Sequence, residues 1–425
     1  MPTFYRAVRG FVARRVNPTD AFDARPASAQ ASGLSFACQD LPVTDSSRHW
    51  TRPLVATLCF ATLLSGCGLF GKKPDEAQAP TYSKADWSDL PQTADTDVLQ
   101  GFSAWRSACA VRLKKDDIWA ATCADAASVP TSAPAIRQFM QAHLQPYQLR
   151  SAEGSRNGLI TGYYEPVYRG SQQRDAQHTV PVYGVPKDLI TVALDSVYPE
   201  LKGKRLRGKL EGNTLVPYAD AAGIRRDGVN APVLAWLPDP MDLQFLQIQG
   251  SGRVELASGR QLRLGYAEQN GRPYKPVGRW LVEQGELSKE EVSMARIRDW
   301  ARAHPQRVDE LLASNPSYVF FSQRPDSNEG PRGSLNVPLT PGYSVAIDRK
   351  VIPLGSLMWL STTRPDGAPV VRPVAAQDTG GAIVGEVRAD LFWGTGDAAG
   401  ELAGHMKQDG QLWLLWPKDK ALPGA

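Results

Sequence analysis

Three aspartates between residues 343 and 394 sit on short apolar runs, each flanked by Gly or small residues. They are Asp348 in Tyr343-Ser344-Val345-Ala346-Ile347-Asp348, Asp378 in Gln377-Asp378-Thr379-Gly380-Gly381-Ala382-Ile383, and Asp390 in Arg388-Ala389-Asp390-Leu391-Phe392-Trp393-Gly394. Short apolar runs punctuated by Gly, Pro and Asp read as strands. A carboxyl on such a strand must find a partner or reach water, because burying it alone is costly. The chain is therefore held to a β-architecture that gathers acidic positions around a polar site.

The rest of the chain agrees with that expectation. From Leu159 onward short strands recur about every 8–12 residues: Gly158–Tyr168 broken at Pro166, Val180–Val185, Val233–Leu237, Leu243–Gly250, Arg253–Leu256 and Gln261–Tyr266. Helices interrupt at Val277–Gln284, at Ser288–His304 (opened by a Ser288/Glu291 capping box) and at Gln306–Ser314, which Asn315-Pro316 stops. Strands then resume at Tyr318–Phe321, Ser344–Ile347, Leu357–Leu360, Val370–Ala376, Gly385–Val387 and Leu412–Trp416. Before all of these, residues 96–150 carry the three-and-four spacing of amphipathic helices. The pattern predicts a mainly β fold with flanking helices, one β-domain interrupted by another.

The N-terminal segment reads as an address. Arg48-His49-Trp50-Thr51-Arg52, an apolar run from Pro53 to Leu64 and Ser65-Gly66-Cys67 form a secretory signal, too short to span a bilayer. Leu64-Ser65-Gly66-Cys67 resembles the bacterial lipobox, in which the Cys is lipidated. No Asp follows Cys67, which favours the outer membrane and its periplasmic face. Residues 1–47 are expected to be a mis-started or additional segment, 48–66 the signal and 67–95 a tether. Of five Cys, only Cys109 and Cys123 fall in the folded part, an even pair that predicts a disulfide in an exported protein. Without CxxC pairs and with five His, no metal site is expected, and no cofactor. The net charge of +4 is concentrated early: residues 1–66 hold seven Arg, no Lys and four Asp (7 − 4 = +3), so nothing calls for nucleic acid.

Two features admit competing readings. Asp378-Thr379-Gly380 invites an aspartic protease, but that chemistry shares a proton between two carboxylates and the chain holds one copy, so the protease would be a dimer. Gly394–Gly400 brushes a nucleotide fingerprint with the wrong spacing and reads as a loop entering a helical turn. Cleaving a glycosidic bond needs an acid for the leaving oxygen, commonly with a second carboxylate, and Asp348, Asp378 and Asp390 could supply these. At least one of the three is expected to be structural, accepting backbone N–H groups in a turn. A third reading is a glycan-binding barrel without catalysis.

A resemblance sharpens the choice. Gly162-Tyr163-Tyr164-Glu165-Pro166, Leu246-Gln247-Ile248-Gln249-Gly250-Ser251-Gly252, Asn315–Phe321 and Gln377–Ile383, in this order over roughly Val98–Pro417, are similar to the membrane-bound lytic murein transglycosylase A family. The C-terminal part resembles its three-aspartate ("3D") domain. The resemblance implies a double-psi β-barrel from residues 96–180 and 316–425, with a second β-rich domain, 181–315, inserted. It implies cleavage of peptidoglycan between MurNAc and GlcNAc to leave 1,6-anhydromuramyl ends, with Asp390 as acid then base and Asp378 and Asp348 as supporting acids. Tyr163, Gln249, Gly250, Ser251, Gly252, Gly380 and Gly381 are the expected substrate contacts. The expected partners are peptidoglycan glycan strands and outer-membrane lipid through Cys67, for a monomer able to join cell-wall enzyme complexes.

Overall fold

The computed structural model describes residues 82–111, 113–201, 204 and 206–423. The signal, the lipobox Cys67 and the segment before them lie outside these residues. Six strands pair in a ring: β1 (Gly158–Glu165), β2 (Ser344–Ile347), β3 (Leu357–Thr363), β4 (Pro369–Asp378), β5 (Arg388–Thr395) and β6 (Lys407–Pro417). Strand β1 runs parallel to β5 on one side and antiparallel to β6 on the other. From β6 the pairing continues through β3, β4 and β2 back to β5, so the ring closes. Leu144–Leu149 and Tyr82–Lys84 extend it from β6.

Three helices, α1 (Asp95–Val111), α2 (Ala120–Ala127) and α3 (Ala133–His143), share one core with the ring. Trp105, Trp119 and Trp416 are fully buried and meet edge to face in series. Each buries on the order of 200 Å², which at ~25 cal/mol per Å² is on the order of 5 kcal/mol of hydrophobic stabilisation before entropy. Cys109 of α1 and Cys123 of α2 are joined by a disulfide. The amide of buried Gln377 donates to Ala104 O at 2.7 Å and accepts from Ser344 Oγ at 2.5 Å. That side chain ties α1 and β2 to the residue immediately before Asp378.

The second body has its own core and a sheet ordered Val319–Arg324, Gln261–Gln269, Ser251–Glu255, Val167–Arg169. The chain therefore leaves the ring at Pro166 and remains in the second body through Arg324, a wider excursion than the expected 181–315. Strand pattern alone does not reveal which sheet a strand joins. Buried Glu165, at the crossing, accepts from Arg253 Nε at 2.9 Å and from Thr395 Oγ1 at 2.7 Å, fastening the bodies together. Leu206–Glu211 and Thr214–Pro217 pair as a hairpin within the second body.

Three local expectations are corrected. Leu243–Gly250 is not a strand but part of a helix, Pro240–Gln249. Asp239 caps it by accepting from Met241 N at 2.8 Å, Pro240 fits the first turn, and Gly250 ends it at φ +74°. Ser288 and Glu291 do bond reciprocally, yet they close a turn; the helix is Met294–Ala303, capped by Ser293. Gly385–Val387 is a turn that precedes β5.

Gly101 shows how closely α1 lies on β4. A Cβ there would fall 2.1 Å from Pro373 O. On an open helix Gly→Ala gains about 1 kcal/mol, whereas forcing a methyl into a packed site costs about 1–3 kcal/mol. Gly101→Ala is thus expected to lower the urea midpoint at constant m-value; a raised midpoint would mean that α1 does not seat here.

Candidate active site

The ring's register sets four residues in one row. Asp378 of β4 is level with Ala346 of β2, Ala346 with Asp390 of β5, and Asp390 with Thr161 of β1. All four line a groove of about 510 Å³. With strands ~4.8 Å apart, the two aspartates stand two strands, or about 10 Å, apart at their Cα atoms. Ala346, too small to fill the space between them, leaves the floor open.

The two carboxyls are held very differently. Asp378 Oδ1 accepts from Ser334 N at 2.8 Å, Ser334 Oγ at 2.9 Å and Thr379 N at 2.8 Å, and Oδ2 accepts from Tyr163 OH at 3.0 Å. Burial raises the Asp378 pKa above the usual carboxylate value, and these four donors oppose the rise. Burial, reinforced by the charges of Asp378 and Asp390, pushes the Tyr163 hydroxyl well above its ordinary value, so it stays a donor.

Among the described residues the Asp390 carboxyl receives one hydrogen bond, from Thr161 Oγ1 to Oδ1 at 2.6 Å. Arg388 Nη2 donates to that same Thr161 oxygen at 2.8 Å, which leaves the Thr161 proton directed at Asp390. Among the described residues no hydrogen bond reaches Oδ2. Burial lifts the Asp390 pKa to about 6; the Thr161 bond and the Arg388 charge pull it down, and the Asp378 charge adds to the rise. Asp390 thus combines a pKa of about 6 with a place in the groove lining and an oxygen that takes no hydrogen bond among the described residues.

The other expected site residues divide. Tyr163, Gln249, Gly250, Ser251, Gly380 and Gly381 line the groove. Gln249 Oε1 is already occupied by Tyr164 N at 3.1 Å, so its carbonyl anchors β1. Tyr163 packs its ring on Phe392, centroids 5.3 Å apart, and its hydroxyl holds Asp378. Gly252 is outside the lining: a Cβ there would lie 2.4 Å from Leu246 Cδ1, which makes it a packing position. Asp348 is also outside; its carboxylate accepts Lys350 N and Gly385 N, each at 3.0 Å, pinning the far end of the Gly380–Gly385 loop. Among the described residues no group of three or more His, Cys, Asp or Glu is placed to hold a metal ion.

Residues that pattern reading passed over include Thr161, Ser334, Arg388, Tyr266, Tyr274 and Met294. Thr161 was accessible, since it precedes Tyr163 by two on one strand and so shares its face. Ser334 lies 44 residues before Asp378 on an irregular segment, without a periodic signal.

Residues 159–322 match the family model of the MltA specific insert domain, and residues 343–416 that of the 3D domain. Membrane-bound lytic murein transglycosylase A of Escherichia coli (strain K12) is 32% identical over 297 residues, spanning 68% of this chain and 73% of that protein. A crystal structure of MltA from Neisseria gonorrhoeae superposes with a TM-score of 0.69 at 35% identity, covering 80% of this chain and 93% of that one. One of E. coli MltA with bound chitohexaose gives 0.60 at 26% identity, covering 79% and 94%. With both domain models, a relative of this identity and the same mostly β fold in hand, the chain belongs to the membrane-bound lytic murein transglycosylase A family.

Proposed function

We propose that Asp390 makes both proton transfers as this chain, a peptidoglycan lytic transglycosylase, cuts the β-1,4 bond between MurNAc and GlcNAc. The observation that carries the assignment is the inequality of the two acids: Asp378 is saturated by four donors, whereas Asp390 has one donor, a free oxygen and a pKa near 6. Protonated Asp390 donates to the GlcNAc O4 as the C1–O4 bond breaks and positive charge develops at the MurNAc C1. The C6 hydroxyl of that sugar then bonds to C1, and its proton passes to the Asp390 carboxylate. A 1,6-anhydro end forms, no water is consumed, and the acid is regenerated.

Thr161 and Arg388 position the acid, and Asp378 orders the Ser334–Thr379 side of the groove. Backbone groups at Gly250, Ser251, Gly380 and Gly381 suit the N-acetyl and hydroxyl groups of a glycan. A related structure carries chitohexaose, which supports an oligosaccharide as the occupant. An aspartic protease would need Asp378 to share a proton with a second carboxylate, and its oxygens are instead engaged by four donors.

We read the six-strand ring as a double-psi β-barrel and the body between Pro166 and Arg324 as a domain inserted into it. The relatives are named membrane-bound, while no helix among the described residues is long and apolar enough to cross a membrane. The relatives' name supports membrane anchoring, which we assign to a lipid on Cys67 at the periplasmic face of the outer membrane. Mass analysis of peptidoglycan fragments before and after conversion of Cys67→Ser to a soluble form separates activity from anchoring.

Digestion of purified peptidoglycan should yield fragments one water lighter than hydrolysis products. Asp390→Asn should lower their release by about 10²-fold or more while the protein stays folded; undiminished release would remove Asp390 from the reaction. Because the acid must enter protonated, activity should fall as pH rises through about 6. Thr161→Val removes a bond that lowers the Asp390 pKa, so this limb should move to higher pH. The folded-state pKa lies above the unfolded value near 4, so the contribution to stability is present below that value and lost as pH rises through 6. Asp390→Asn should accordingly melt higher than its parent at pH 7.5, with the difference shrinking toward pH 4.

A further inference from the structure

We propose that a basic side pocket opening off the groove binds a carboxylate of the peptide stem carried by the glycan, and so favours stem-bearing strands. The inference rests on the glycan reading of the groove given above. The pocket has a volume of about 300 Å³, at the small end of the ~300–1,000 Å³ typical of ligand sites. Arg324, Arg332 and Asn336 line both it and the groove, so the two spaces adjoin.

Its charges do not cancel. The pocket is lined by Arg263, Arg324 and Arg332 against Glu165 and Glu329. Glu165 is already committed to Arg253 at 2.9 Å. Glu329 stands 3.9 Å from Arg332, a loose pair with both side chains more than two-fifths exposed. Arg263 and Arg324 remain, and among the described residues neither is in ion-pair contact with a carboxylate. Arg263 is 8% exposed and donates to Pro325 O, Glu329 O and Gly330 O at 3.2, 2.9 and 3.0 Å. Those carbonyls solvate the guanidinium without neutralising it, and among the described residues its Nε has no partner. Arg324 donates to Tyr266 O at 3.0 Å and lies across Gly265, where a Cβ would come within 2.7 Å of its Nε. Uncompensated Arg324 and loosely paired Arg332, together with the buried charge of Arg263, attract an anion into the pocket that they line, and Arg presents a planar fork matched to carboxylate.

The backbone of a chain of N-acetyl sugars is uncharged. The anions near a stem-bearing MurNAc are the carboxylates of the peptide joined to its lactyl group. The loop that lines the pocket with Arg332 and Asn336 also carries Ser334, whose N–H and hydroxyl hold Asp378. Capture of a stem on this loop would set which sugar stands over the row of acids. A stem-bearing sugar would then be held in register with Asp390.

The test uses the folded Asp390→Asn protein, so that binding is read without cleavage. A fluorescent glycan tetrasaccharide with peptide stems is titrated against the same tetrasaccharide after amidase treatment, which bears only lactyl carboxylates, and chitohexaose serves as a neutral competitor. The stem-bearing probe should bind about tenfold tighter than the stripped one, and the ratio should shrink in high salt. Arg324→Gln combined with Arg332→Gln should bring the ratio to about one, and Arg324→Lys should leave it between these values. Equal binding of the two probes by the parent, or an unchanged ratio in the double variant, would overturn the proposal. Tighter binding of the stripped probe would overturn it too, by assigning the pocket to the lactyl group. Failure of all three ligands to bind would instead sink the glycan reading on which it rests.

Discussion

Ring closure through β1 is the constraint on which the rest of the molecule depends. Residues 158–165 pair with β5 and β6, more than 220 residues later, and thereby remove two free strand edges at once. Everything between Pro166 and Arg324 can then form a separate core without disturbing the ring. Closure also fixes register, and register is what aligns Thr161, Asp390, Ala346 and Asp378 across four neighbouring strands. A slip of one residue in β1 or β5 would turn Thr161 or Asp390 to the opposite face.

Given that row, chemistry follows from unequal solvation by the protein. Two aspartates in similar strands diverge because one meets a turn rich in N–H and O–H groups and the other meets a single hydroxyl. Asp378 functions as a fastening point for Ser334, Thr379 and Tyr163. Asp390 is left short of donors, so burial lifts its pKa toward the working range of an acid with little to oppose it. Arg388 moderates the effect through its charge, while its hydrogen bond goes to Thr161 and not to the carboxyl itself.

Much of this was legible in the residues. Apolar runs carrying Asp348, Asp378 and Asp390 mark strands or strand ends, and the aromatic neighbours of Asp390 signal its burial. The helix Pro240–Gln249 was misread because Leu243, Phe245 and Leu246 serve a strand or a buried helix equally well; the caps Asp239 and Gly250 were the better guide. Pro166 announced a break in the strand, yet a strand does not declare which sheet it will join. Ser334 and Arg388 act through contacts distant in sequence or through a second residue, so only the folded chain reveals them. Gly101 likewise has no explanation within its own helix, since its reason is the carbonyl of Pro373.

The two walls of the groove belong to two different hydrophobic cores. Thr161, Asp378 and Asp390 are built on the ring, whereas Gly250, Ser251, Tyr266 and Tyr274 are built on the second body. Substitutions that reshape the second wall are therefore buffered from the strand register that holds the acids. On the proposed assignment of the acids and the glycan contacts, bond-breaking machinery and glycan preference can drift at separate rates, and a chain of this design can change its diet without relearning its reaction.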